Sequence, residues 1–128
     1  MERIKVETIK APAPGGWYSQ AFKIGDIVYT AGVTAADPLT GEMQFPGDIV
    51  GQTRETLKNL SAILKAAGTD LEHVFKTLVF VADIDKFNEF NEEYKKFFSK
   101  DPPARSTMEI GKFNNGMVIE IEAIAVMP

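Results

Sequence analysis

Cysteine is absent from this chain of 128 residues, and histidine occurs once. The first absence excludes disulfide bonds, thiolate metal ligands and a thiol nucleophile. His73 stands beside a predicted turn, without a cysteine or a second histidine that could share a metal ion. We therefore expect a structural role for His73 and no transition-metal site.

Long hydrophobic runs are also absent, and the N-terminal stretch MERIKVETIK is charged, with no apolar signal-peptide core. Basic residues number 14 against 18 acidic ones, which gives a formal charge of −4 and an isoelectric point near 5.0. Such a balance provides no general attraction to phosphate backbones. We expect a soluble, cytoplasmic protein that does not bind membranes, and its negative charge disfavours binding to nucleic acid.

The common catalytic signatures are missing as well. The sequence contains no glycine-rich dinucleotide or P-loop pattern after a strand, no HExxH zinc motif and no internal repeat.

A chain of this length with 45% hydrophobic residues can bury one core. The sequence therefore predicts a single domain over residues 1–128.

Five elements are predicted within the first 72 residues. Alternating apolar residues predict a strand over 2–9, and Gly25-Asp26 predicts a hairpin between strands 18–23 and 27–31. An apolar stripe at helical spacing begins after Asp48, a typical N-cap, and stops at Gly68. The stretch 69–72 then predicts a short helical turn.

The second half continues with VFKTLVFVAD at 74–83, a strand that is apolar on both faces and therefore central. A helix with an aromatic face follows from about Asp83 and ends before Asp101-Pro102. Two last strands flank Asn115-Gly116, a strong hairpin signal. In that hairpin Glu120 would lie opposite Gly111, and Arg105 would be about 20 Å farther along the same strand.

The predicted order is βββ-α-β-α-ββ, which indicates an α+β fold with a mixed six-stranded sheet. Both helices would pack on one face of the sheet, because two helices cannot cover two faces. The other face would expose apolar side chains, and a large apolar face of this kind commonly marks a protein–protein interface. We therefore expect a homo-oligomer.

Arg105 is the first candidate for chemistry. It stands in PPARSTMEI, where prolines lead into a strand and the small Ala104 and Ser106 leave the guanidinium uncrowded. A planar, permanently charged fork in this position is suited to binding a carboxylate with two hydrogen bonds. The alternatives are a surface arginine or one half of a structural ion pair.

Glu120 and Asn91 are the other candidates. Glu120 and Glu122 share one face of the strand IEIEAIAV. This face is either exposed to solvent or, at Glu120, lies near an apolar interface, where the carboxylate can accept a proton from water. Asn91 interrupts the apolar stripe of the second helix. Its amide must bond either to core backbone or to a ligand in a cleft.

Several motifs together resemble the RidA/YjgF family, also described as endoribonuclease L-PSP. The C-terminal signature is formed by Pro103-Ala104-Arg105-Ser106, Met108, Gly111 and Ile119-Glu120-Ile121. APAPGGWYSQA, TAG at 30–32, DPLTGE and KTLVFVADIDKFNEFNEEY follow the family's order and spacing, so the resemblance covers nearly the whole chain.

The resemblance implies a chorismate-mutase-like fold, a homotrimer with clefts between subunits, and hydrolysis of reactive 2-imino or enamine acids to 2-oxo acids and ammonia, without metal or organic cofactor. It implies catalytic roles for Arg105 and Glu120. It implies substrate binding by Tyr18, the backbone around Gly32, Asn91, Arg105 and Thr107.

The sequence departs from the family at Thr107, often cysteine, at Val33, often glutamine, and at Trp17, often proline. Phe113 is bulkier than is usual there. Imine hydrolysis needs water rather than a thiol, so Thr107 leaves the reaction possible. Two alternative functions stay open: a non-catalytic trimer that binds small carboxylates, and a ribonuclease or translation inhibitor, which the acidic charge and the single histidine do not favour.

Overall fold

The computed structural model describes all residues, 1–128, as one six-stranded mixed sheet and two α-helices. The strands are β1 (Arg3–Val6), β2 (Ala21–Ile24), β3 (Ile27–Thr30), β4 (Val74–Val81), β5 (Ala104–Glu109) and β6 (Ile119–Val126); the helices are α1 (Ile49–Ala67) and α2 (Phe87–Lys95). Short 3₁₀ turns, Leu71–His73 and Ile84–Lys86, precede β4 and α2. The predicted α+β class and element order are confirmed.

Helix α1 has the ends that its sequence predicts. The Asp48 side chain accepts hydrogen bonds from the backbone N–H groups of Val50 and Gly51, and Gly68 ends the helix with a φ of 96°. A left-handed residue at this position costs glycine little. The buried face of α1 includes Leu57, Leu60 and Leu64, which pack against the sheet.

The predicted first hairpin is present, although β2 starts at Ala21 rather than at Tyr18. Gly25 takes a φ of 57° in the turn, as the Gly25-Asp26 pair indicates. Residues 18–20 instead belong to a loop, and the Gln20 side chain bonds backbone groups of Thr8 and Pro12.

The predicted C-terminal hairpin is wrong. The sheet order is β1-β2-β3-β6-β4-β5, so β4 lies between β5 and β6. Helix α2 carries the chain from β4 back to β5, and a crossover of that kind produces the parallel pairing that β4 and β5 show. Asn115 and Gly116 do have positive φ, but their turn lies in the connection that passes from the sheet edge to β6. The predicted register, with Glu120 opposite Gly111, is therefore wrong too.

The two faces of the sheet differ in cover. Ile119, Ile121 and Ala123 of β6, with Val79 and Val81 of β4, are buried in one core with residues of both helices. Residues of opposite parity, including Phe80 and Glu122, project from the other face, which no helix covers. The predicted placement of both helices on one face is confirmed.

Candidate functional site

A cleft of about 500 Å³ opens where β3 ends. Three chain segments line it: the proline- and glycine-rich loop at 12–18, the stretch that follows β3, and the connection before β6. Tyr18, Gly32 and Glu120, which the family resemblance points to, all border this cleft. The fold thus brings three of the predicted site residues together at one cleft.

Gly32 lies directly against the side chain of Glu120. A Cβ placed on Gly32 would be 2.7 Å from Cδ of Glu120, closer than real contacts allow. The backbone makes this approach through a bulge, because three residues separate Tyr29 from Val33 while two separate their partners Ile121 and Ile124. Bulges commonly re-aim side chains beside functional sites. Glycine is needed here to leave room for the carboxylate.

The environment of Glu120 favours its neutral form. Burial raises the pKa of this half-buried carboxyl above its ordinary value, and the negative charge of Glu122 on the same strand face raises it further. A carboxyl with a raised pKa is a better proton acceptor once ionised. Glu120 is thus suited to exchange protons with a bound water.

The same shift predicts a dependence of stability on pH. Since the folded chain disfavours ionised Glu120, stability falls as pH rises from the ordinary glutamate pKa of 4.5 through the higher folded value. Glutamine cannot ionise, so Glu120→Gln should unfold at higher urea concentration than wild type at about pH 7. The difference should disappear below about pH 4.

Urea unfolding of both chains at the two pH values measures this difference. Glu2→Gln, at the exposed N-terminus, is the control and should leave stability unchanged at both pH values. A wild-type chain that is more stable than Glu120→Gln at pH 7 would contradict the inferred burial effect.

Arg105 lies on a different part of the molecule, beside helix α2. Its Nη1 donates a hydrogen bond of 2.9 Å to Oδ1 of Asn91. Its guanidinium also stacks on Phe87, Phe90 and Tyr94, with 4.8–5.4 Å from Cζ to the ring centroids. Cation–π contacts of this kind restrict the plane of the fork. The guanidinium is therefore held by aromatic rings and one amide, and not left uncrowded as the sequence suggested.

None of the six ion pairs of the chain involves Arg105. Ala104 and Ser106 project to the opposite face of β5, as alternation requires. The structural ion pair, one alternative for Arg105, is not formed. The guanidinium retains donors that no carboxylate of its own chain uses.

The Asn91 side chain does not bond to core backbone, one of the two alternatives, because its Oδ1 accepts a hydrogen bond from Arg105. The sequence predicts an aromatic face on the second helix, and three rings of this face contact Arg105. Their spacing at i, i+3 and i+7 places them on one helical face, and this signal predicts burial but not a stacked cation. Tyr94 is fixed in turn by a 2.8 Å hydrogen bond between its hydroxyl and Thr77.

The predicted site residues form two groups on opposite sheet faces. Arg105 pairs with Thr77, whose side chain is buried beneath α2, while Glu120 pairs with Phe80 of the other parity. The two residues are also two strands apart and offset by three positions of β4, about 10 Å along the strands. Thr107 lies on the Arg105 side, opposite Val79. Within one chain, Arg105 and Glu120 do not meet.

Other singled-out residues lie outside these groups. His73 bonds through Nδ1 to Oδ1 of Asp70 at 2.7 Å, a local contact across the 3₁₀ turn. Val33 is buried and pairs with Ile121, while the Trp17 side chain is wholly exposed.

No group of three or more His, Cys, Asp or Glu side chains could hold a metal ion. Neither helix has the length and apolar character needed to cross a membrane.

Comparison with known proteins defines the class to which this fold and these residues belong. The family model described as Endoribonuclease L-PSP matches residues 8–127. The chain therefore belongs to this family, the RidA/YjgF family that its motifs resemble. The chorismate-mutase-like fold implied by that resemblance is confirmed.

Among individual proteins, the chain is 43% identical to 2-iminobutanoate/2-iminopropanoate deaminase of mouse, over 94% of this chain and 89% of the mouse protein. It is 45% identical to a RutC family protein of Pyrococcus horikoshii, over 92% and 93% of the two chains. The crystal structure of RidA from an Antarctic Psychrobacter matches 97% of this chain and 99% of that one, with a TM-score of 0.92 and 35% identity.

Proposed function

We propose that this protein hydrolyses reactive 2-imino and enamine acids, such as 2-iminopropanoate and 2-iminobutanoate, to 2-oxo acids and ammonia. The observation that carries the proposal is the pair of incomplete half-sites. One offers a rigid guanidinium with unused donors, and the other a carboxylate of raised pKa in a cleft. The name of the mouse relative supports the same reaction.

Arg105 is assigned the binding of the substrate carboxylate. Asn91 occupies one donor of the guanidinium and the aromatic rings restrict its plane, so the remaining donors present a fixed edge. A carboxylate can bind such an edge with two parallel hydrogen bonds. Binding in this way would set the position of the imine carbon.

Glu120 is assigned the activation of the attacking water. In the proposed reaction the carboxylate takes a proton from water while the water oxygen bonds to the imine carbon, and the protonated Glu120 then gives this proton to the nitrogen. In the resulting carbinolamine the hydroxyl proton passes through Glu120 to the nitrogen, the carbon–nitrogen bond breaks, ammonia leaves and a carbonyl forms. Imines already hydrolyse in water, so a barrier reduction of about 3–6 kcal/mol is enough, within the range of general acid–base catalysis. No step requires a metal or organic cofactor.

The two half-sites require two chains. Since Arg105 and Glu120 project from opposite faces of one sheet, a substrate of three or four carbons that touches both must lie between subunits. The uncovered sheet face supports such an assembly because it carries apolar side chains, among them Tyr29 and Met108, which are 45% and 42% exposed. We propose the homotrimer that the family resemblance implies.

A coupled assay tests the reaction. An amino-acid oxidase or a serine dehydratase generates 2-iminopropanoate, semicarbazide traps it, and active protein should lower the yield of trapped imine. Glu120→Gln keeps the size of the side chain and removes the acceptor, so kcat should fall at least tenfold while binding of a stable 2-oxo acid persists.

Three other results would contradict the proposal. A wild-type protein that does not compete with semicarbazide but binds the 2-oxo acid would be a non-catalytic carboxylate binder. Loss of 2-oxo acid binding in Glu120→Gln, with kcat unchanged, would make Glu120 a structural residue. Because the family model is described as an endoribonuclease, RNA is the control substrate, and cleavage of RNA without imine hydrolysis would favour that activity instead.

A further inference from the structure

The three segments that line the cleft are all hydrogen-bonded to buried side-chain amides. Each accepts hydrogen bonds from one buried side-chain amide: Gln52 and Asn59 of α1, and Gln20 of the loop before β2. All three amides are buried, and Gln52 is inaccessible to solvent. Their partners are backbone groups of irregular segments rather than of helices.

Gln52 holds the connection that leads into β6. Its Nε2 donates to the carbonyls of Gln44, Phe45 and Gly116, at 2.9–3.1 Å. Its Oε1 accepts a 2.8 Å hydrogen bond from the backbone N–H of Val118, two residues before Glu120. One side chain of α1 thus ties the loop before α1 to the loop before β6.

The fit around this loop leaves little room for an alternative path. A Cβ on Gly116 would lie 2.6 Å from Cβ of Pro46, and the N–H of Gly47 donates to the Gly116 carbonyl at 2.8 Å. Asn114 and Met117, which border the cleft beside Glu120, belong to the same loop. Gln52 is therefore bonded to this cleft wall on both sides of Met117.

Asn59 and Gln20 hold the other two walls. Nδ2 of Asn59 donates to the carbonyls of Thr34 and Ala36, both at 2.9 Å, just beyond the bulge at Gly32. Nε2 of Gln20 donates to the carbonyls of Thr8 and Pro12, at 3.1 and 2.9 Å. Pro12 begins the loop that carries Tyr18.

The carbonyls that these amides bond are partly buried, and each needs a donor, because an unpaired polar group costs the free energy of its lost hydration. An apolar side chain of equal size would fill the same volume and leave those carbonyls unpaired. The segments could recover hydrogen bonds only by moving toward water. Such movement would displace the cleft walls and leave the helix-to-sheet core in place.

We propose that Gln20, Gln52 and Asn59 are positioning residues that set the three walls of the cleft against Glu120. This inference rests on the proposed function where it concerns rate, and on the hydrogen bonds alone where it concerns the walls. A displacement of about 1 Å in a reacting group can cost a hundredfold in rate, so modest wall movement is enough to be measured. Arg105 lies on the other sheet face and should keep its carboxylate binding.

The variants are Gln52→Met and Asn59→Leu, which preserve volume and remove the amide. We expect kcat to fall about tenfold in each, with KM changed less than about twofold, because water placement is lost and carboxylate binding is not. Hydrogen exchange should rise at 44–47 and 112–118 in Gln52→Met and at 33–37 in Asn59→Leu, in each case only in the segments that the lost amide bonds. Gln52→Asn, a second variant that keeps the amide at shorter reach, should show a smaller change of both kinds.

Thr53→Val is the matched control, since Thr53 is equally buried in α1 but its hydroxyl bonds only to the Ile49 carbonyl of the same helix. It should leave kcat and wall exchange unchanged. An equal loss of kcat in Thr53→Val would overturn the inference, as would unchanged kcat or a uniform rise in exchange in the amide variants. Absence of imine hydrolysis in wild type would overturn the proposed function, whereas the exchange pattern would still decide whether the amides hold the walls.

Discussion

Chains that carry Arg105→Ala and chains that carry Glu120→Ala, each inactive alone, should regain activity when they are unfolded together in equal amounts and refolded. Arg105 and Glu120 project from opposite faces of one sheet, so a site that uses both must take them from different chains. A site is intact when one neighbour supplies Arg105 and the other Glu120. Random mixing makes this true for about one site in four, whatever the number of subunits in a closed ring.

The measurement is imine hydrolysis per subunit, compared with wild type taken through the same unfolding and refolding. Arg105→Ala mixed with Asn91→Ala is the matched control. These two residues bond within one chain, so every site of that mixture lacks one of them and mixing should restore nothing. Verified mixed oligomers of Arg105→Ala and Glu120→Ala that stay inactive would place the site within one chain or show that one of the residues is misassigned.

Arg105→Lys should lower kcat/KM for imine hydrolysis at least tenfold while the protein stays folded and assembled. Lysine keeps the positive charge, but it loses the two-pronged fork and cannot stack as a plane on the α2 rings. It also loses the geometry of the bond that Nη1 makes to Asn91. A point charge can still attract a carboxylate, so the substrate should still bind, although lysine no longer fixes its orientation.

Arg54→Lys is the control for this substitution. Arg54 also stacks on one ring, Phe45, at 5.0 Å, but it lies on α1 and pairs with Glu55 at the surface. Its replacement should leave kcat/KM unchanged. Wild-type kcat/KM in Arg105→Lys, with the same oligomer size by light scattering, would remove the proposed role of carboxylate anchor.

Local patterns in the sequence were enough to predict most elements and the class of fold. The stripe between Asp48 and Gly68 predicts α1 within a residue at each end, because caps and periodicity depend on neighbours along the chain. The apolar run at 74–83 similarly predicts an internal strand, since a strand that is apolar on both faces must be covered on both. The family was recognisable from motifs alone.

Pairing between distant strands was not predictable in the same way. Asn115-Gly116 forms a turn with positive φ, as its sequence indicates, yet β6 pairs with β3 and β4 rather than with β5. A turn signal specifies a local backbone conformation, whereas the partner of a strand depends on which edge is free after the α2 crossover. The hairpin predicts that Arg105 and Glu120 are far apart because of their distance along one strand, and that reason is wrong. The two side chains are separated because they project from opposite faces of the sheet.

By itself, the sequence determined the helices, the six strands, the family and the residues proposed for chemistry, because these depend on residue type and spacing along the chain. Only the tertiary structure decided that Gly32 lies against Glu120, that aromatic rings stack on Arg105, and that buried amides donate hydrogen bonds to the cleft walls. Such contacts join residues far apart in the chain, Gln52 and Gly116 being 64 positions apart. Their geometry follows from how the sheet is ordered and covered, which no local pattern encodes.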